Sequence, residues 1–131
     1  VLKIKIANIL FKVNSPELLA DSPEVIEQNK FVLNRVSELL KKYSSYRITV
    51  EGHAVLTRWN NPEAAKKEEL EELGPLSEQR AVTVLNYLTQ FGISESRMDS
   101  KGRGGTQPLV PHSDLENRWK NRRVEFILWK E

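Results

Sequence analysis

Between Ser22 and Gly92 the hydrophobic period switches from helical to alternating and back to helical, and this switch constrains the fold more than any other feature of the chain. Ser22-Pro23-Glu24 is a helix start. It offers a hydroxyl for the free N–H groups, a proline where no N–H is needed, and a carboxylate at the positive end of the helix. From there Val25, Val32, Val36, Leu39 and Leu40 recur at helical spacing to about Tyr43. Arg47-Ile48-Thr49-Val50-Glu51 then alternates as a strand, closed by Gly52. A second helix is expected from Ser77, burying Ala81, Val84, Leu85, Leu88 and Phe91 and ending at Gly92, the residue type favoured for a left-handed C-terminal cap.

The flanks alternate as well. Leu2, Ile4 and Ile6 are followed out of phase by Ile9, Phe11 and Val13, so the slip near Ala7-Asn8 marks a bulge or the start of the core strand around Ile9. Asn14-Ser15-Pro16 ends that segment. A short strand around Arg97 to Ser100, a turn through Gly102, Gly104 and Gly105, and a final strand from Arg122 to Trp129 complete the order strand, helix, strand, helix, strand, strand. This order predicts an α/β sandwich, a mixed sheet of about four strands with helices 22–43 and 77–91 packed on one face. The connection from Ala54 to Pro75 is far longer than a strand-to-helix loop requires, and its middle is rich in helix formers. An inserted helical segment is expected at about 56–75 within one domain spanning 1–131, a length and an apolar content of 39% that suit a single core.

Composition narrows the functions. The 20 basic and 18 acidic residues nearly cancel, which removes any global attraction to nucleic acid or anionic membrane. The absence of cysteine excludes disulfides, thiolate metal sites and thiol nucleophiles. No apolar run approaches the roughly 18 residues of a membrane span, so membrane association is expected only through parts outside this chain. A start at Val1 without a signal-like segment reads as a fragment of something longer.

Several short words stand in a fixed order along nearly the whole chain. They are Phe11 with Asn14-Ser15, Ile48-Thr49-Val50-Glu51-Gly52-His53-Ala54, Leu76-Ser77-Glu78-Gln79-Arg80-Ala81 with Tyr87-Leu88 and Gly92-Ile93, then Gly102, Gly104 and Pro108, and Asn121-Arg122-Arg123-Val124-Glu125-Phe126. Together they resemble the OmpA-like C-terminal domain, the peptidoglycan-associating family. The resemblance implies a βαβαββ two-layer sandwich on the periplasmic side of the outer membrane of a diderm bacterium. It also implies a non-catalytic pocket for the peptidoglycan stem peptide, with no cofactor. In such a pocket an arginine matching Arg80 holds the carboxylate of diaminopimelate, and an aspartate directly after the Gly-His-Ala word holds the amine. A guanidinium suits the first task because it forks two hydrogen bonds onto a carboxylate. If the helix starts at Ser77, Arg80 also lies in a first turn whose free N–H groups favour an anion.

This sequence departs from the pattern at the second task. Val55 stands where the aspartate belongs, and Leu73 stands where the family usually has an asparagine. Neither can accept a hydrogen bond from an amine. The expected pocket is therefore a vestigial one of His53, Ala54, Val55, Leu73, Ser77 and Arg80, with diaminopimelate recognition weak or lost. Two alternatives remain open. One is a competent binder that substitutes Glu51, Glu68 or Asp114 or takes a different stem-peptide amine; the other is a domain that contacts another envelope protein through the inserted segment. Trp59 either pins that segment or anchors a partner.

Rival chemistries find less support. His53 and His112 lack metal-type spacing, and no acid pair accompanies a nucleophile motif, so neither a metal nor a catalytic residue is assigned. Gly102-Arg103-Gly104-Gly105 lacks the Lys-Ser/Thr of a phosphate loop and opens no helix. Lys120, Arg122 and Arg123 beside Trp119 form a basic cluster, but strand alternation sends the two arginines to opposite faces, which argues against nucleic acid.

Overall fold

The computed structural model describes residues 1–6 and 9–130. Its elements are β1 (Leu2–Ile6), α1 (Pro23–Lys42), β2 (Arg47–Gly52), α2 (Pro62–Glu68), α3 (Gly74–Gln90), β3 (Met98–Gly102) and β4 (Val124–Trp129). The sheet order is β1-β4-β2-β3, with β2 and β3 parallel and both other pairings antiparallel. A mixed four-stranded sheet with helices is thus what the period switches predicted.

One sheet face and the two long helices make the core. Ile48 and Val50 of β2 lie opposite Leu128 and Phe126 of β4, and all four are buried with Val32, Leu33, Val36 and Leu40 of α1 and Ala81, Val84 and Leu88 of α3. Within α1, Leu33 rather than Leu39 takes the inward place. The other parity of the sheet carries Thr49, Glu51 and Glu125 beside Ile127 and Trp129. Thr49 accepts a hydrogen bond from the Trp129 indole at 3.0 Å, and Glu51 faces Glu125 across the β2–β4 ladder.

Both helix ends expected from sequence are present. The Ser22 hydroxyl accepts from the Val25 N–H, and Gly92 adopts φ +98° just beyond α3. The start of the second helix is different. The chain is already helical from Pro62, capped by the Asn61 side chain, and passes through a π-helical turn at Glu69–Leu73 into α3, so Ser77 lies inside a helix rather than at its head. Gly74-Pro75 looks like a break in the sequence, yet the Gly74 N–H reaches back five residues to the Glu69 carbonyl. The wider turn absorbs the bonding irregularity that a proline imposes.

The first strand also differs. It is Leu2–Ile6, and the expected slip at Ala7-Asn8 lies outside the described residues. Ile9 is buried but outside any strand, and Phe11 makes only an isolated bridge to Leu18. The buried Asn29 side chain satisfies this segment instead, bonding the Leu10 N–H and the carbonyls of Leu10 and Leu19. At the other end, a short 3-10 turn at Arg118–Asn121 delays β4 to Val124.

Helix α3 sits close on the ends of two strands. A Cβ on Gly52 would fall 2.1 Å from the Ser77 carbonyl oxygen, and one on Gly102 2.4 Å from the Glu78 nitrogen. Both are rigid backbone, so Gly52→Ala is expected to push α3 outward and lower stability by about 1–3 kcal/mol in chemical denaturation. A variant as stable as the wild type would show that this close approach is not required.

Candidate ligand pocket

The turn after β2 is fixed from two sides. Ala54 donates its N–H to the Gly104 carbonyl, and Gly104, at φ +55°, donates to the Ser77 hydroxyl, which itself donates to the Gly74 carbonyl. His112 accepts the Leu56 N–H at Nδ1, which leaves its Nε2 to donate to the Gly105 carbonyl. Residues 53–56 therefore form a rigid ledge beside α3.

Against that ledge lies an open pocket of about 720 Å3 whose wall includes Ala54, Val55, Leu73 and Arg80. Such a volume suits a small ligand or a peptide side chain. Four of the six pocket residues expected from sequence thus line one space. The other two are elsewhere. Ser77 is spent on the Gly104 loop, and His53 is buried beneath the ledge, its Nε2 3.4 Å from Glu51 and 3.9 Å from Glu125. Trp59 is exposed and not in the pocket wall.

Arg80 is buried, yet among the described residues it has no carboxylate partner. Its Nε donates to the Ser15 carbonyl at 2.9 Å and its Nη2 to the Lys12 carbonyl at 3.2 Å, with the guanidinium carbon 4.9 Å from the Phe11 ring centre. Burial, helped by the nearby charge of Arg122, lowers its pKa to about 10, so it remains protonated at neutral pH. The segment 11–15 thus acts as a holder for the guanidinium, and the Asn29 bonds to Leu10 and Leu19 tie the chain on either side of it to α1. Because the helix begins far upstream, Arg80 is mid-helix and no free backbone N–H groups add to its attraction for an anion.

The three proposed substitute acids are separated by the fold. Glu51 is buried against Arg103 at 3.1 Å, and Asp114 bonds Asn117 in the long loop, so neither lines the pocket. Glu68 does, but its oxygens already accept from the Thr57 N–H, the Thr57 hydroxyl and the Arg58 N–H. Burial alone would raise its pKa, and these hydrogen bonds outweigh that and leave it lowered. Glu72 and Arg122 are among the wall residues not singled out as pocket residues from sequence. Glu72 is one helical turn past Glu68, a spacing that places both on one side, and its side chain is half exposed with Arg58 4.0 Å away. Arg122 is exposed opposite the buried Arg123, as the alternation at that point implies.

Beneath the pocket lies a charge network. Arg123 donates to Glu125 at 2.6 Å and to the Gln107 carbonyl at 2.9 Å, and Arg103 donates to Glu51. Burial, then the charge of Arg123, lowers the His53 pKa, and neither of its ring nitrogens has a hydrogen-bond partner among the described residues. Glu51, His53 and Glu125 offer ligand atoms within 4.8 Å of one another, but an arginine already occupies one oxygen of each carboxylate. The arrangement balances two glutamates placed opposite each other in a sheet.

Comparison with known proteins agrees with this geometry. The OmpA family model matches residues 10–122. The peptidoglycan-binding protein ArfA of Mycobacterium tuberculosis is 31% identical over 108 residues, covering 82% of this chain and 30% of ArfA. Motility protein B of Helicobacter pylori is 28% identical over 109 residues, covering 82% of this chain and 40% of that protein. The chain therefore spans about a third of the length of these relatives. The periplasmic domain of Helicobacter pylori MotB superimposes with a TM-score of 0.75 at 25% identity, covering 98% of this chain and 74% of that one. The cell wall anchor of the type VI secretion system of Pseudomonas aeruginosa shares the fold with a TM-score of 0.70 at 23% identity, covering 98% and 81%. With the family model matched across both walls of the pocket and the sheet order in place, this chain belongs to the OmpA family.

Proposed function

We propose that this domain is a non-catalytic peptidoglycan-associating module of the cell envelope, acting on the periplasmic side of an outer membrane, in which recognition of diaminopimelate is weakened by Val55. The observation that carries the reading is Arg80, a buried cation without an acid partner among the described residues, in the wall of a pocket beside the Gly52-His53-Ala54 turn. Supplying a charge-assisted partner to that guanidinium is what a peptide carboxylate would do. Val55, 6% exposed in the same wall, offers an amine no acceptor. The names of the relatives support a cell-wall ligand: ArfA is described as peptidoglycan-binding and the type VI protein as a cell wall anchor.

The alternative of a substituted acid is favoured by one observation, the half-exposed Glu72 in the pocket wall. Interaction with another envelope protein through residues 56–75, with Trp59 as the anchor, is supported by the exposure of that indole.

Co-sedimentation with insoluble peptidoglycan tests the reading. The wild type is expected to be retained weakly, and Arg80→Ala to be retained at about a tenth of that level or less, as loss of a charged hydrogen-bond partner implies. Equal retention of both proteins would remove Arg80 from the binding site.

A further inference from the structure

Arg122 is unaccounted for by the reading above. Its guanidinium borders the same pocket as Arg80 and, among the described residues, makes no hydrogen bond or ion pair. Arg80 keeps Nη1 unbonded after giving its other donors to Ser15 and Lys12. Two cations that raise each other's energy therefore share one pocket, and neither has a carboxylate partner among the described residues. Of the acids in that wall, Glu68 is saturated by Thr57 and Arg58, and Glu72 is half exposed with Arg58 4.0 Å away. Val55 and Leu73 make part of the remaining wall apolar, beside the polar side chains of Asn14, Thr57 and Gln79.

We propose that Arg122 and Arg80 together form the anion-holding end of the pocket, and that it selects a terminal carboxylate on a chain with no ammonium beside it. Two guanidiniums can donate to both oxygens of one carboxylate from different directions, relieving their mutual repulsion. An ammonium next to that carboxylate would meet two like charges, and the aliphatic Val55 offers it no acceptor in exchange for water. The specificity is thus shifted from a zwitterion to a simple carboxylate, not merely weakened. This inference rests on the proposed stem-peptide function, whose ligand it refines.

Two synthetic stem tripeptides separate the cases, one ending in meso-diaminopimelate and the other in 2-aminopimelate, which keeps the distal carboxylate and lacks the distal amine. In calorimetric titration the wild type is expected to bind the 2-aminopimelate peptide at least as tightly as the diaminopimelate peptide. Arg122→Gln should weaken the 2-aminopimelate peptide about tenfold, the contribution of one charge-assisted contact, with the thermal midpoint unchanged. Val55→Asp should reverse the order of the two peptides.

A wild type that prefers diaminopimelate by about tenfold or more would overturn the proposal, and loss of that preference in Glu72→Gln would identify the amine holder. Unchanged affinity in Arg122→Gln would also overturn it. If the wild type binds neither peptide the proposal fails, and Val55→Asp then decides the underlying reading: binding of diaminopimelate by that variant keeps it, and silence removes both.

Discussion

Arg123→Met is expected to destabilise the domain by about 3–5 kcal/mol at pH 7, because it strands the Glu125 carboxylate inside the sheet without its cation. Glu125 is 2% exposed and its principal partner is the Arg123 Nε at 2.6 Å. Burial would raise its pKa, but the hydrogen bond and charge of Arg123 outweigh that and hold it lowered. The pH dependence follows from the signs. A carboxylate with a lowered pKa in the folded state contributes stability above its unfolded value of about 4.3, and loses it as the pH falls through the folded value. His53, also lowered, acts in the same direction below about 6.5, since the unfolded chain takes up its proton more readily. The wild type should therefore lose stability on acidification.

The variant should behave differently. Without Arg123, His53 loses the charge that disfavours its protonation, and an imidazolium 3.4 Å and 3.9 Å from the two glutamates would replace the missing cation. Protonation of Glu125 at lower pH would remove the stranded charge altogether. Urea unfolding at pH 7 and at pH 4.5 should thus show the gap between the proteins narrowing toward acid. A gap that is the same at both values would mean that the buried network is not what the substitution breaks.

The parts of this fold that were legible in the sequence are those fixed by local chemistry. Ser22-Pro23-Glu24 and Gly92 mark helix ends because capping and a left-handed turn are decided within a few residues. The alternation of Ile48, Thr49 and Val50 gave the central strand for the same reason. The start of the second helix was not legible, because Gly74-Pro75 has the composition of a break and only the π-helical turn before it carries the chain through. Ile9 and Phe11 alternate like a strand, but Leu10 between them is held by the side chain of Asn29, a contact between residues 19 positions apart.

The pocket was legible in outline. Arg80, Ala54, Val55 and Leu73 come together as the motifs implied. His53 and Ser77 belong to the same words, yet they serve the charge network and the Gly104 loop, since a motif records which residues travel together and not which of them face the ligand. The carbonyls of Lys12 and Ser15 that hold Arg80 carry no side-chain signal at all. Glu72 could have been found from its spacing to Glu68, once the connection was read as continuous helix.

Val55→Asp is expected to restore part of the diaminopimelate binding that the proposed function assigns to this pocket. An aspartate at that position would line the same pocket as Arg80 and offer the amine an acceptor while Arg80 keeps the carboxylate. Truncating one partner of a buried charged contact of this kind costs ~2–5 kcal/mol, or roughly 30-fold to several thousandfold in affinity. Recovery should fall short of that range, because Leu73 remains apolar and the segment from Pro62 to Leu73 still borders the site. The decisive measurement is a calorimetric titration of wild type and Val55→Asp with the same diaminopimelate-containing muropeptide. The variant is expected to bind at least about tenfold more tightly, and an equally tight wild type would contradict the claim.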